Sequence, residues 1–535
     1  MLHVGHPAFT VWRMTDSLRR IAVVGGGPGG LFLASLLKRE LPELEVTVFE
    51  RNRREDAFGF GVVFSDATLR NIDAADPVLR DGLRDYGRHW DRIEVWSGAE
   101  RHGFGGNGMA AIHRRVLLHQ LQENAERAGA ELRFATTAPE LTTLLAEYDV
   151  VVGADGTNSS VRAQLEAATG PVGHTADTAT AKFIWFGTTH LFDGLTFVHR
   201  VSEHGNFAAH AYPISDELST FIVETDEDTW RRSGLDAFDV DQPPGPSDTT
   251  TQAYLEALFA DDLAGGHLVA NNSRWANFRT RRTEHWSRDR VVLLGDAVHT
   301  AHFSVGSGTK MAMEDSVVLA QELVSVAKGE RDLATALGAY EEARQASVGR
   351  IQAAAGPSLS WWEHFGTYQR TLDPVTFAFH FFSRSIGVAK IAQRDPGLVA
   401  EVREHWAHQH AAAPLADSVE LVAGAEVGRR LELRGLEPDG AVLVDGRGRE
   451  ARVPLVTVAD SVATAVASLP DAGPVVVRGP ASHERTLVAE HARLVRGLVV
   501  VVAGEDVGDD DVAETLLLAG RADAVALDRV PAVAR

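Results

Sequence analysis

Near the start of the chain, short unbroken apolar runs flank a glycine turn and a helix-length apolar stretch. Ile21-Ala-Val-Val24 is followed by glycines, then by Leu31 to Arg39, then by Val46-Thr-Val-Phe49. Such runs suit strands buried on both faces, so Arg20 to Glu50 predicts strand, tight turn, helix and strand, a βαβ unit. A helix is predicted from about His113 to Ala128, with Leu117, Leu118 and Leu121 on one face, and a strand over Asp149 to Val152. From Phe183 to Thr225 the pattern changes to short strands rich in Phe, Trp, Thr and Ile, such as Ser219 to Glu224, which predicts an antiparallel sheet inserted into the α/β part. Asp239 to Thr251 reads as a loop, Arg290 to Leu294 as a buried strand and Gly308 to Ala327 as a helix.

Composition adds a break in the chain. After Trp406 there is no further aromatic residue and no lysine, and residues 415–535 alternate Val-rich strands with Ala/Leu helices, the pattern of part of an α/β layer. His408 to Pro414 reads as the linker. The expected division is an N-terminal extension over 1–17, with Met14 an alternative start, and a discontinuous α/β domain over 18–180 and 270–340. A β-sheet domain over 181–269, a helical segment over 341–410 and the C-terminal α/β region over 415–535 complete it. With 535 residues, 44% of them hydrophobic, packing alone suffices for stability. The absence of cysteine excludes disulfides and thiolate chemistry, and a cytoplasmic protein without a membrane span is expected. A formal charge of −22 disfavours nucleic acid and anionic membranes as partners.

Three motifs carry chemistry. Gly25-Gly-Gly27-Pro-Gly-Gly30 follows a strand and opens a helix. In that context Gly25 serves the tight turn, Gly27 lets backbone approach a pyrophosphate, and Gly30 lets helix pack on strand. Glu50 ends the next strand, where a carboxylate accepts from ribose hydroxyls. Gly153-Ala-Asp155-Gly156 and Gly295-Asp296-Ala297 each follow a predicted strand. In this order and spacing the three motifs resemble the FAD-dependent aromatic hydroxylases of the para-hydroxybenzoate hydroxylase class.

That resemblance implies a Rossmann-like FAD-binding domain with an inserted antiparallel substrate domain. FAD would be held by Gly25, Gly27, Gly30, Glu50, Arg114, Asp155 and Asp296. Gly306 and Gly308 would bring backbone N–H groups toward the flavin. Phe58 to Asp66, Trp185 to Thr188, His210 to Tyr212, Thr220 to Glu224 and Ala301 to Lys310 are closer to the salicylyl-CoA 5-hydroxylase and 2-aminobenzoyl-CoA monooxygenase subgroup, and are similar also to the tryptophan-side hydroxylase of violacein biosynthesis. The implied activity is NAD(P)H- and O2-dependent hydroxylation of an electron-rich ring, aryl-CoA or indole-type, through a flavin C4a-hydroperoxide. The alternative is a FAD-dependent dehydrogenase or oxidase without oxygen transfer; a flavin-binding scaffold is a third reading. The loop departs from the wider class, with Phe303 where proline is usual and Lys310 where asparagine is.

His210, Tyr212, His302 and Phe303 are the candidate substrate-pocket residues. No catalytic residue is singled out: His299, His302 and His210 could be acid/base groups, but among 22 histidines each reads more readily as structural or surface. Trp361 and Trp362 read as packing, and Lys310 suits either an anionic ligand or a loop carbonyl. No metal is expected. The last segment, Ala513 to Arg529, resembles the end of an old-yellow-enzyme-like barrel, yet about 120 residues stand against the roughly 250 of eight β/α units. Asp528 occupies the place of a glycine, where its charge would repel a phosphate; the region is therefore expected to be a non-catalytic remnant without FMN. Oligomeric state is not legible.

Overall fold

The computed structural model describes residues 18–530 apart from 241–244, 307, 411, 423, 439 and 460. The expected N-terminal extension over 1–17 lies outside them. Two compact units are present: Met1–Arg92 with Asn107–Glu363, and Ile93–Gly106 with His364–Arg535.

The first unit is built on β1 (Arg20–Val24), α1 (Pro28–Glu40) and β2 (Glu45–Phe49). Next come α2 (Arg114–Ala128), β3 (Glu131–Arg133), β4 (Val150–Gly153) and α3 (Ser160–Thr169). β1 lies between β2 and β4 in parallel register, Ile21 opposite both Val46 and Val150. Ile21 to Val23 and Val150 to Val152 are wholly buried because helices cover both faces. Since β1 leads to β2 on one side while β4 joins on the other, the chain changes direction at the carboxyl end of β1. That crevice is where nucleotides bind in doubly wound sheets.

An antiparallel sheet follows, made of β5 (Thr175–Thr188), β6 (Leu195–Ser202), β7 (Gly205–Pro213), β8 (Ser219–Thr225), β9 (Leu268–Val269) and β10 (Ala276–Arg282). Its order is β9-β5-β8-β7-β6, with β10 also paired to β5. The sheet therefore starts before residue 181 and takes in a strand beyond 269, because Arg279 to Arg282 pair with Thr175 to Thr178 at its edge. Every residue of β8 is buried. The chain then returns to the first sheet through β11 (Ser287–Arg288) and β12 (Val291–Leu293), completing the order β11-β12-β4-β1-β2-β3. The helices α4 (Gly308–Ala327) and α5 (Leu333–Thr371) follow.

In the second unit α6 (Pro374–Phe382) precedes β13 (Arg430–Glu437), β14 (Gly440–Asp445), β15 (Glu450–Val453), β16 (Leu455–Thr457), β17 (Pro474–Arg478), α7 (His483–Glu490), β18 (Val499–Gly504), α8 (Asp510–Leu518) and β19 (Ala524–Asp528). The sheet order is β15-β14-β13-β19-β18-β17-β16. Its two edge strands are joined by Pro454 alone, so the sheet curls until its edges meet, a nearly closed barrel. Alternate residues confirm two faces: Val475, Val477, Val500, Val502 and Val525 share one core, and Val476, Val501, Ala503, Ala524 and Ala526 another. No helix among the described residues is long and apolar enough to cross a membrane.

Candidate active site

The crevice at the end of β1 is shaped by glycine. Gly25 has φ +114°, and a Cβ there would lie 2.2 Å from the Ala154 carbonyl oxygen; one on Gly30 would lie 2.2 Å from the Gly25 oxygen. Around Gly27 nothing lies within 4 Å of such an atom. The glycines flanking the turn thus serve chain packing, while Gly27 leaves open space. Gly27 is also the N-cap of α1, with no side chain satisfying the helix N–H groups, so the turn presents unpaired donors and a positive dipole end to an anion. Glu50 is fixed beside it: Oε2 accepts from Gly26 N at 2.8 Å, and Oε1 accepts from Asn52 N at 2.8 Å and Nδ2 at 2.7 Å.

Two charges face this region without an ion-pair partner among the described residues. Burial pulls the Arg114 guanidinium below its ordinary pKa against the opposing pull of Asp296 and Tyr212. Burial likewise raises the Asp296 carboxyl, opposed by His299, Arg114 and Arg281. No described residue donates a hydrogen bond to Asp296. An open glycine, an uncapped helix, a free cation and an acceptor awaiting hydroxyl donors fit a dinucleotide with a pyrophosphate and a polyol chain.

Asp155 has a different local duty. Its carboxylate accepts from Ser159 Oγ, Ser160 N and Oγ, and Val161 N, holding the start of α3. Beneath the third motif, Asp315 Oδ2 accepts from Gly295 N at 3.0 Å and meets His299 Nε2 at 2.7 Å, while Oδ1 accepts from Arg344 Nε at 2.7 Å. Burial would raise the Asp315 carboxyl, but His299 and Arg344 together hold it below its usual range. Asp315, paired with His299 and Arg344, therefore fixes the turn that presents Asp296. Lys310 pairs with Glu314 at 3.2 Å rather than with a carbonyl. Gly306 has φ +59°, and Gly308 opens α4 with free space about its Cα.

Phe303 stands at the centre of an aromatic wall. Its ring lies 5.0 Å from Phe183, 6.0 Å from Trp185, 6.1 Å from Phe278, 4.2 Å from His302 and 5.5 Å from His210. Phe183, Trp185, Phe278 and Phe303 are half-buried, whereas His210 and His302 behind them are buried. Trp362 packs on His210 with ring centroids 4.1 Å apart, and Trp361 and Trp362 are both in the core. Between the two histidines sits Glu224, 1% exposed, with Oε1 2.8 Å from His210 Nε2 and Oε2 3.7 Å from His302 Nε2. Sequence reasoning named both histidines as pocket residues but not Glu224. Tyr212 is set apart from this wall: it stacks on Trp90, its hydroxyl donates to the Gly61 carbonyl at 3.4 Å, and burial pushes its pKa up to about 12.

Among the described residues no cluster of three or more His, Cys, Asp or Glu could hold a metal ion. The fold and the glycine crevice define a dinucleotide-binding α/β protein that also carries an antiparallel sheet. The chain belongs to the FAD binding domain family, whose model matches residues 19–355. It is 51% identical to a salicyloyl-CoA 5-hydroxylase of Streptomyces sp over 527 residues, 95% of this chain and 99% of that protein. It is 34% identical to a 3-hydroxy-4-methyl-anthranilyl-[aryl-carrier protein] 5-monooxygenase of Streptosporangium sibiricum, covering 64% and 89%. Against a protodeoxyviolaceinate monooxygenase of Chromobacterium violaceum the identity is 33%, again covering 64% and 89%. A solved p-nitrophenol 4-monooxygenase PnpA from Pseudomonas putida DLL-E4 shares the fold at TM-score 0.54 and 18% identity, over 74% of this chain and 98% of that one. The protein is accordingly a FAD-dependent monooxygenase that hydroxylates an aromatic ring, and the expected oxygen transfer is favoured over simple dehydrogenation.

Proposed function

We propose that the protein hydroxylates an electron-rich ring carried as an aryl-CoA thioester, at the expense of NAD(P)H and O2. The observation that carries this is the 51% identity to the salicyloyl-CoA 5-hydroxylase, which runs through the C-terminal barrel as well as the FAD domain. Bound FAD supplies the oxygen-activating chemistry. Gly25, Gly27 and Gly30 shape its cradle, Glu50 and Asp296 accept from its hydroxyls, and Arg114 faces its phosphates. Gly306 and Gly308 leave backbone approach at the loop, and the half-buried wall around Phe303 receives the ring and excludes water from it. Asp155 holds α3 in place for this arrangement.

A reductant of the NAD(P)H kind is supported by a second anion-seeking cluster. Arg281 is buried, its Nε has no hydrogen-bond partner among the described residues, and its contacts to His174 and Asn158 are 3.5 Å long. Burial, then Arg162 and Arg279, lower its pKa, which an incoming phosphate would relieve.

The C-terminal barrel is read as a non-catalytic remnant of an old-yellow-enzyme-like barrel, without FMN. At the carboxyl ends of its strands Arg478 pairs with Asp528 and Arg485 with Asp506, both at 2.5 Å, so the cations suited to a phosphate are already neutralised. A cytoplasmic location accords with the cysteine-free composition.

Purified holoenzyme incubated with salicyloyl-CoA, NAD(P)H and labelled O2 should yield a product heavier by one labelled oxygen, with FAD and no FMN released on denaturation. Label appearing only with indoles would overturn the thioester reading, and unlabelled product would overturn oxygen transfer.

A further inference from the structure

β5, which supplies Phe183 and Trp185 to the aromatic wall, is irregular just before them. Thr178 pairs with Arg279 of β10 and Lys182 with Asn277, so Ala179, Thr180 and Ala181 lie opposite Phe278 alone. The extra residues make a bulge, which re-aims the side chains beside it and leaves carbonyls off the ladder that must find donors elsewhere. One side chain collects them. Asn277 Nδ2 donates to the Ala179 oxygen at 2.9 Å and to the Thr180 and Ala181 oxygens at 3.2 Å each. Asn277 Oδ1 accepts from Lys182 Nζ at 2.8 Å, and because an ammonium only donates, this fixes which way the amide points. From α5, Glu363 Oε1 accepts from Thr180 N at 2.7 Å and from Thr180 Oγ1 at 2.9 Å.

Lys182 and Asn277 stand directly opposite one another and so share one face of the sheet, while Phe183 and Trp185 on β5 and Phe278 on β10 point to the other. On that second face all three rings meet Phe303, Phe183 at 5.0 Å, Trp185 at 6.0 Å and Phe278 at 6.1 Å. These are contact distances for aromatic pairs, so a larger guest is admitted only if the rings part. Asn277 acts from the far face of the sheet, on the stretch of backbone from which Phe183 and Trp185 follow and across which Phe278 lies. We propose that Asn277, together with Glu363, is a positioning residue that holds Phe183, Trp185 and Phe278 against Phe303 and thereby restricts the site to substrates with a single aromatic ring. This rests on the reading of the wall around Phe303 as the ring-binding surface. Without the Asn277 amide the bulge carbonyls lose their shared donor, the bulge relaxes, and the wall opens enough to take a fused second ring.

The test measures kcat and KM for salicyloyl-CoA and 1-hydroxy-2-naphthoyl-CoA in FAD-loaded wild type, Asn277→Ala and Asn277→Asp, the last placing an acceptor oxygen where the donor stood. Wild type should prefer the one-ring thioester, and the ratio of the two kcat/KM values should fall about tenfold in both variants. The loss on salicyloyl-CoA should lie in KM, up about tenfold, with kcat changed less than about threefold. A purely structural role lowers the amount of active enzyme and so reduces both thioesters by one fraction. An unchanged ratio, or wild type without the one-ring preference, therefore overturns the positioning role. Wild type that oxygenates neither thioester overturns the aryl-thioester reading instead. The positioning role is then decided by the binding of salicylate against 1-hydroxy-2-naphthoate, followed by FAD absorbance, with the same criterion of a ratio that falls about tenfold. Should the Asn277 variants not retain FAD, Glu363→Ala is read with the same compounds and the same criteria.

Discussion

At residue scale the three glycines of the first motif do unlike work, and the difference is measurable without chemistry. A methyl group on Gly30 meets the Gly25 oxygen at 2.2 Å, whereas one on Gly27 meets nothing. Gly30→Ala should therefore destabilise the FAD-free protein by about 1–3 kcal/mol through forced backbone movement. Gly27→Ala should leave it within about 1 kcal/mol, yet weaken FAD binding about tenfold, roughly 1.4 kcal/mol. Thermal melts with and without FAD separate the two, and equal behaviour of the variants would refute the assignment. These glycines are legible in sequence because close backbone approach leaves only one residue type possible. Glu224 was not, since a carboxylate ending a predicted strand reads as a solvent-facing position. Only the sheet that buries every residue of β8 turns it inward.

At the scale of elements, the start of α3 shows how a motif residue serves the backbone. Asp155 satisfies Ser160 N and Val161 N, while Ser159 Oγ, the N-cap, accepts from Arg162 N. Asp155→Ala leaves two helix donors unpaired and should cost about 1–2 kcal/mol in FAD-free as well as FAD-loaded protein. A loss confined to the loaded form would give Asp155 a direct cofactor contact instead. Strand and helix positions were largely readable from periodicity: the helix predicted over Gly308 to Ala327 has those bounds, and the one from His113 starts one residue later because His113 caps it. What periodicity left hidden was pairing. β10 joins the antiparallel sheet across a long stretch of chain, and the curl of the C-terminal sheet follows from the one-residue link at Pro454, a fact of topology with no sequence period.

At the scale of the whole molecule, the second unit contains its own buried ionic core, which gives it a stability signature separable from cofactor binding. Glu490 Oε1 accepts from Arg521 Nε at 3.0 Å and faces His380 Nε2 at 3.2 Å, and Oε2 accepts from the Tyr368 hydroxyl at 2.6 Å. Burial would raise the Glu490 carboxyl, but His380, Arg521 and Tyr368 outweigh it and bring it down to about 2. A folded value below the unfolded one means that this stabilisation is present above the ordinary 4.5 and is lost as pH falls toward about 2. Glu490→Gln leaves Arg521 buried without its counter-charge, a change of about 3–5 kcal/mol. Hydrogen exchange at neutral pH should then accelerate in α6, α7 and β17 to β19. Added FAD should slow exchange in β1, α1 and β4 in wild type and variant alike, because ligand linkage stabilises the unit that binds. Lowering the pH from 5 to 3 should destabilise wild type in the same segments that Glu490→Gln loosens at pH 7. Acid sensitivity confined to other segments would remove Glu490 as its cause.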